Sequence, residues 1–166
     1  MLWLLLYIGT IFAANWALAT FGLVPVGFGL VAPAGVYFAG IAFTLRDLTQ
    51  DALGRRAVVG AILVGALCSA LVSPQFALAS AVAFLVAELA DFAVYTPLRR
   101  HAWLGAILAS NLVGLMLDSV LFLGLAFGSL AYLPGQVVGK AWMTGLALVL
   151  LHLWRQRAVS IRRRAA

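Results

Sequence analysis

The sequence predicts an all-α integral membrane protein with six transmembrane helices and both termini in the cytoplasm. Three observations support this prediction: the composition, the spacing of the apolar segments and the placement of the arginines. Hydrophobic residues make up 65% of the 166 residues and charged residues only 10%, whereas a soluble domain has about 45–50% and about 25%. Because polar side chains are too few to cover a water-facing surface, we expect lipid to surround most of the chain.

Six apolar segments are long enough to cross a bilayer, which takes about 20 helical residues. Short links that contain glycine, proline or arginine separate them. The segments are Met1–Leu23, Phe28–Leu45, Ala57–Ser73, Phe76–Leu98, Ala102–Phe127 and Leu133–Trp154. A transmembrane domain is therefore expected over residues 1–154, followed by a basic cytoplasmic tail over residues 155–166.

The basic residues fix the expected orientation of this domain. With six crossings, ten of the eleven basic residues fall on one side of the membrane: Arg46, Arg55, Arg56, Arg99, Arg100, Arg155, Arg157, Arg162, Arg163 and Arg164. The opposite links, which contain Pro25, Pro74 and Pro134, carry none. The positive-inside rule makes the arginine-rich side cytoplasmic. The net charge of +6 is thereby explained by topology and by contact with the lipid bilayer, and no nucleic-acid partner is expected.

Four ionisable residues fall inside the apolar segments: Glu88, Asp91, Asp118 and Lys140. Each costs about 2.5–3.5 kcal/mol at the centre of a membrane helix, so each is expected to face the bundle interior or a wet cavity. Helical spacing predicts that polar and aromatic residues share the inward faces of the last three segments. These residues are Phe84, Glu88, Asp91 and Tyr95, then Asn111, Asp118 and Phe122, then Gln136, Lys140 and Thr144.

Counting at 1.5 Å per residue divides these polar residues into two layers. Asp118 and Lys140 come out ~24 and ~21 Å above the arginine-rich side. Glu88 and Asn111 lie near ~15 Å, and Asp91 near ~10 Å. Asp118 and Lys140 are predicted to form an ion pair, which serves either packing or ligand binding. Glu88 and Asp91 favour a site for a polar ligand, with proton transfer as the competing role.

Catalytic and metal-binding functions find little support in the sequence. The chain has one cysteine and two histidines, too few for a disulfide or a cysteine- or histidine-rich metal site. The apolar segments contain no Ser/His or Cys/His combination. The sequence therefore predicts a protein that is not an enzyme and that has no metal or cofactor.

Three stretches resemble the VUT family, the vitamin-uptake-type transporters that include the queuosine-precursor transporters. Phe43–Arg56 is similar to the family's motif after the second helix, and Ala83–Tyr95 to its fourth-helix signature. The residues Asp118-Ser119, Phe122, Ala126-Phe127-Gly128 and Lys140 resemble its last two helices. One position departs from the pattern, because Asp51 stands where the family is expected to have Glu.

This resemblance implies import of a 7-deazapurine, such as 7-cyano-7-deazaguanine, across the inner membrane of a prokaryote. A guanine-like edge has two adjacent N–H donors for a carboxylate and a carbonyl that needs a donor. The expected substrate-binding residues are Glu88, Asp91, Asn111, Asp118, Lys140, Phe84, Phe122, Gln136 and Trp142. The alternative is the substrate-binding subunit of an energy-coupling-factor transporter for a vitamin or another planar heterocycle. The expected protein partners are a second copy of the chain or, for this alternative, the transporter's coupling subunit.

The link Arg46–Arg56 is expected to act in structure and gating at the cytoplasmic rim. Its acids Asp47 and Asp51 are four residues apart, so both are expected to face Arg55, Arg56 or a neighbouring helix end. Gly54 is assigned to the same gating and structural group.

Overall fold

A computed structural model describes residues 1–72 and 77–165 of the chain. It contains six helices and one two-stranded antiparallel hairpin. In chain order the elements are α1 (Leu2–Phe21), β1 (Leu23–Gly27), β2 (Leu30–Pro33), α2 (Val36–Leu53), α3 (Arg55–Val72), α4 (Ala77–Leu98), α5 (Trp103–Phe127) and α6 (Leu133–Ala165). The predicted link Ser73-Pro74-Gln75 lies outside the described residues.

Within the described residues, four helices or helix segments are long and apolar enough to cross a membrane. They are Leu2–Phe21, Ala81–Leu98, Trp103–Phe127 and Leu133–Trp154. Large apolar side chains on these helices, such as Leu5, Leu108 and Leu150, point outward and are exposed. An apolar exterior of this kind is stable in lipid and not in water, which identifies an α-helical membrane protein.

The second predicted helix was placed wrongly. The sequence suggested Phe28–Leu45, whereas α2 runs from Val36 to Leu53, eight residues later at each end. The apolar stretch before it forms the hairpin, in which Gly27 pairs with Leu30. The two turn residues, Phe28 and Gly29, both have positive φ, 53° and 71°. Positive φ at both central positions is the geometry of the tight turns that match the twist of two paired strands.

The link Arg46–Arg56 is therefore not a loop. Residues up to Leu53 continue α2, and Gly54 alone separates this helix from α3. Gly54 has φ of 80°, and its N–H donates to the carbonyl of Gln50. This left-handed conformation favours glycine, so Gly54 ends α2 and lets the chain turn directly into α3.

The hairpin is held between α2 and α6. Val26, Ala32 and Val36 form a small buried cluster against Val138. A Cβ at Gly135 of α6 would lie 2.1 Å from the carbonyl oxygen of Val31, so only glycine allows this approach. The hairpin thus covers the ends of α2 and α6 that lie away from the arginine-rich links.

The last helix is longer than the predicted crossing. Its apolar part, Leu133–Trp154, matches the prediction, but the helix continues through Ala165. The basic segment that begins at residue 155 is therefore a continuation of α6.

Candidate functional site

A cavity lies among α1, α2, α4, α5 and α6, next to the end of the hairpin. Its volume is about 70 Å³, several times the ~10–15 Å³ that one buried water requires on the same measure. The lining residues are Thr10, Ile11, Ala14, Asn15, Leu18, Pro33, Gly35, Val36, Ala39, Ala42, Phe84, Asp118, Phe122, Gln136 and Lys140. Five of the predicted site residues are therefore brought together here: Phe84, Asp118, Phe122, Gln136 and Lys140.

The polar wall of the cavity is an ion pair between α5 and α6. The Lys140 ammonium bonds to Asp118 Oδ2 and donates a second hydrogen bond to Ser119 Oγ at 2.8 Å. The hydroxyl of Ser119 is also 3.4 Å from Gln136 Oε1. Lys140 is buried, whereas the side chain of Asp118 keeps 18% of its exposure. The predicted pair is present, and its acidic member can be reached from the cavity.

The rest of the wall is mostly apolar. Phe84 and Phe122 add aromatic surface, and α1 contributes Thr10 and Asn15. Asn15 is not among the predicted site residues, because an isolated amide on an apolar helix carries no pattern. The sequence predicted cavity-lining residues only on the last three segments, whereas residues of α1 and α2 also line the cavity in the structure.

A second set of polar residues lies deeper in the bundle, and we call it the inner cluster. It consists of Tyr7, Arg46, Asp47, Glu88 and Asp91, all with 0% exposure. Arg46 Nη1 is 2.5 Å from Asp47 Oδ1, and Arg46 Nη2 bonds to Asp91 Oδ2. Arg46 Nε is 3.7 Å from Glu88 Oε2, and the same oxygen accepts a hydrogen bond of 2.6 Å from the Tyr7 hydroxyl.

The inner cluster lies about one helical turn from the cavity, on the side of the arginine-rich links. Ile11, Ala42 and Phe84 line the cavity on three different helices. On each helix the residue one turn nearer the arginine-rich links, four positions away, belongs to the inner cluster: Tyr7, Arg46 and Glu88. One helical turn is ~5.4 Å, so the cluster lies close beneath the cavity.

This arrangement corrects two expectations from the sequence. Arg46 and Asp47 were placed in a cytoplasmic loop, yet both are buried within α2. Glu88 and Asp91 were expected to have only Lys140 as an intramembrane cation, yet they share Arg46. Residues 46–53 extend α2 by about two turns beyond Leu45, whereas the sequence predicts a link for this polar run.

A third polar group closes the arginine-rich end, and we call it the rim network. Asp51 accepts hydrogen bonds from the Tyr95 hydroxyl at 2.7 Å and from Trp103 Nε1 at 2.9 Å. Arg99 Nη1 lies 2.6 Å from the other carboxylate oxygen of Asp51. Asp51 therefore pairs with neighbouring helix ends, as expected, but its cation is Arg99 rather than Arg55 or Arg56. Asp47 instead accepts from Ser110 inside the bundle.

Four of the nine predicted substrate-binding residues do not line the cavity: Glu88 and Asp91, which belong to the inner cluster, and Asn111 and Trp142. Asn111 is buried beside the inner cluster and donates to Thr44 Oγ1 at 2.9 Å. Arg55 is exposed at the start of α3. Trp142 is 57% exposed on the outer face, where its ring stacks on Phe28 at 6.3 Å with an interplanar angle of 16°. Its position does not agree with the predicted contact between Trp142 and a ligand.

The fold and the polar interior define a membrane protein with an internal cavity that is partly lined by polar side chains. A sequence model of the family described as "putative vitamin uptake transporter" matches residues 70–155, which is just over half of the chain. The chain belongs to this vitamin uptake transporter family. Searches of curated proteins and of solved structures gave no significant match.

Proposed function

We propose that this protein imports a 7-deazapurine, of the 7-cyano-7-deazaguanine type, without changing it chemically. The observation that carries the proposal is the cavity, whose lining combines the Asp118 carboxylate, the Lys140 ammonium and the amides of Asn15 and Gln136 with the aromatic rings of Phe84 and Phe122. Planar nitrogen heterocycles need this combination, since their edges are polar and their faces are apolar.

Asp118, Lys140 and Gln136 are assigned to the polar edges of the ligand. Asp118 Oδ2 bonds to Lys140, so Oδ1 is assigned to accept from the adjacent N–H groups of a guanine-like ring. An ammonium has three N–H donors, and Lys140 uses two of them on Asp118 and Ser119. The third is available to the ring carbonyl. Phe84 and Phe122 are assigned to the ring faces.

The proposed topology is six crossings with both termini in the cytoplasm of a prokaryotic cell. Arg46 no longer counts toward the positive-inside pattern, because it is buried. The remaining arginines still gather at the start of α3, between α4 and α5, and beyond Trp154. The cavity then lies in the outer half of the bundle, with the inner cluster and the rim network between it and the cytoplasm. Import requires that these two groups separate after the ligand has bound.

The alternative function is the substrate-binding subunit of an energy-coupling-factor transporter. The sequence feature behind it is the pair of small residues Ala13 and Ala17 on α1, which offers a docking face for a coupling subunit. Ala17 is buried inside the chain, so this face is not fully open to a partner. The burial of Ala17 therefore favours the carrier over the coupling-factor subunit.

Binding to the purified protein tests the proposed substrate. We expect 7-cyano-7-deazaguanine to raise the thermal unfolding temperature more than adenine, riboflavin or biotin does. Gln136→Leu is expected to weaken binding about tenfold, which corresponds to one lost polar contact. Thr144→Val is the matched control, because Thr144 is a buried polar residue of the same helix that does not line the cavity.

Uptake into vesicles that contain only this chain separates the two candidate functions. A carrier accumulates or exchanges the labelled compound without ATP or a second protein, and the compound is recovered unchanged. Binding without any movement of the compound across the vesicle membrane would instead favour the coupling-factor subunit. A stronger response to riboflavin or biotin would contradict the deazapurine assignment.

A further inference from the structure

The inner cluster holds more acidic groups than basic ones. Its carboxyl groups belong to Asp47, Glu88 and Asp91, and Arg46 is its one cation among the described residues. Three ionised carboxylates would leave two negative charges without compensation in a fully buried site. A buried charge without a partner is far more costly than the neutral, protonated acid. At least one of these carboxyl groups is therefore expected to hold a proton.

The contacts of Arg46 identify which one. Its terminal nitrogens are in direct contact with Asp47 and Asp91, whereas its nearest approach to Glu88 is 3.7 Å. Ser110 also donates to Asp47 at 3.2 Å. Asp47 and Asp91 thus have the stronger support for a negative charge, and Glu88 has the weakest.

The two oxygens of Glu88 have different surroundings. Oε2 accepts the hydrogen bond from Tyr7, which suits the carbonyl oxygen of a protonated acid. Oε1 is buried and has no hydrogen-bond partner within residues 1–72 and 77–165. A proton can therefore bind this oxygen without displacing an existing contact.

The charged and titratable groups around Glu88 come from every helix packed near it. On its own helix the neighbour is Asp91, and the charged groups of α3 lie at its far, arginine-rich end. The groups are Tyr7 on α1, Arg46, Asp47 and Asp51 on α2, Arg55 and Arg56 on α3, Asp91, Tyr95 and Arg99 on α4, Asp118 on α5 and Lys140 on α6. Lys140 is already committed to Asp118, so Arg46 alone can compensate the acids of the inner cluster.

We propose that Glu88 carries the proton that couples import to a proton gradient, an inference that rests on the proposed transport function. A proton enters from the cavity, one helical turn above, and binds Glu88 Oε1. When the inner cluster and the rim network separate, Glu88 releases this proton to the cytoplasmic side. Arg46 then contacts the ionised carboxylate until the next proton arrives. One proton crosses the membrane per cycle. The O–H bond of Glu88 forms and breaks, and no other covalent bond changes.

Infrared spectroscopy of the full chain in lipid tests this protonation without any ligand. At neutral pH the wild type is expected to show the C=O stretch of a buried protonated carboxyl group. Glu88→Gln is expected to lose this band, and Tyr7→Phe to shift it, because Tyr7 bonds to the same group. The control Asp51→Asn changes a partly exposed acid of the rim network and is expected to keep the band. A wild type without the band, or a band unchanged in Glu88→Gln, would overturn the proposal.

Vesicle uptake of 7-cyano-7-deazaguanine tests the coupling. An inward proton gradient is expected to drive accumulation by the wild type. Glu88→Gln has the shape of the protonated acid but cannot release a proton, so it is expected to exchange the compound across the membrane and to lose gradient-driven accumulation. Wild-type accumulation that ignores the gradient would overturn the coupling. No movement of the compound by the wild type would contradict the proposed substrate, and the infrared band would still decide the protonation of Glu88.

Discussion

The hydroxyl of Tyr95 donates a hydrogen bond of 2.7 Å to Asp51. The ring of Tyr95 also lies 5.4 Å from the guanidinium carbon of Arg46 and 5.9 Å from that of Arg99. Cations within about 6 Å of an aromatic ring are attracted to its face. Tyr95 therefore joins the inner cluster to the rim network, and together they form a continuous polar plug beneath the cavity.

Asp51→Ala is expected to lower the free energy of unfolding by about 1–2 kcal/mol, because it removes two hydrogen bonds and a partly exposed ion pair. Asp51→Glu retains the charge and is expected to preserve both stability and transport. Chemical unfolding in detergent and vesicle uptake measure the two effects. If Asp51→Glu abolished uptake while Asp51→Ala did not, charge pairing with Arg99 would be the wrong explanation for this residue.

Arg46→Gln is expected to destabilise the fold by about 3–5 kcal/mol, because it leaves buried acids without their cation. Arg46→Lys is expected to restore only part of this loss, since one ammonium does not reproduce the planar fork that contacts two acids at once. The yield of monodisperse protein and its unfolding temperature measure the effect.

A compensating variant checks the cause of that loss. Arg46→Gln combined with Asp47→Asn and Asp91→Asn removes the cation together with its two closest acids. We expect this variant to be more stable than Arg46→Gln alone. Equal instability of the two variants would indicate that Arg46 stabilises the bundle through its size rather than its charge.

The helices that the sequence predicted well are those whose apolar residues are continuous. The predicted limits of the third to fifth segments lie within two residues of α3, α4 and α5. Such runs are governed by contact with lipid, which depends on local composition alone. The pairing of Asp118 with Lys140 was also predictable, because both are isolated charges in neighbouring segments.

The region that the sequence predicted poorly is the one governed by distant contacts. The sequence predicts that Arg46 and Asp47 lie in a link after the second helix. Their buried position is not predictable locally, because their partners Glu88, Asp91 and Ser110 lie at least 40 residues away in the chain. The hairpin was missed for a related reason. An apolar run that contains Val, Leu and Gly does not distinguish strand from helix by periodicity, and its pairing depends on α2 and α6.

Single-cysteine labelling tests the proposed topology, because Cys68 is the sole cysteine and Cys68→Ser gives a clean background. Phe28→Cys in the hairpin turn and Leu130→Cys before α6 are expected to react with a membrane-impermeant maleimide added outside intact cells. Arg100→Cys between α4 and α5 is expected to react only after the membrane is opened. Phe28, Leu130 and Arg100 are exposed. A cysteine at one of these positions that does not react with the external maleimide would therefore lie on the cytoplasmic side of the membrane. External labelling at Arg100 would contradict cytoplasmic termini.

Trp142→Leu is expected to leave binding of 7-cyano-7-deazaguanine unchanged, because Trp142 stacks on Phe28 outside the cavity. Phe122→Leu is the comparison, since Phe122 lines the cavity, and it is expected to weaken binding about tenfold. Isothermal titration with the purified protein measures both. If the Trp142 variant lost affinity and the Phe122 variant did not, the ligand would lie against the hairpin instead.

Asp118→Asn and the double variant Asp118→Asn with Lys140→Met distinguish ligand binding from packing. The single variant leaves the buried Lys140 without its carboxylate, so it is expected to destabilise the fold by about 3 kcal/mol and to abolish binding. The double variant removes both charges, and a buried ion pair replaced by neutral residues is often close to neutral in stability. We therefore expect the double variant to unfold near the wild-type temperature but to bind no ligand. Wild-type affinity in the double variant would show that the pair only holds α5 against α6.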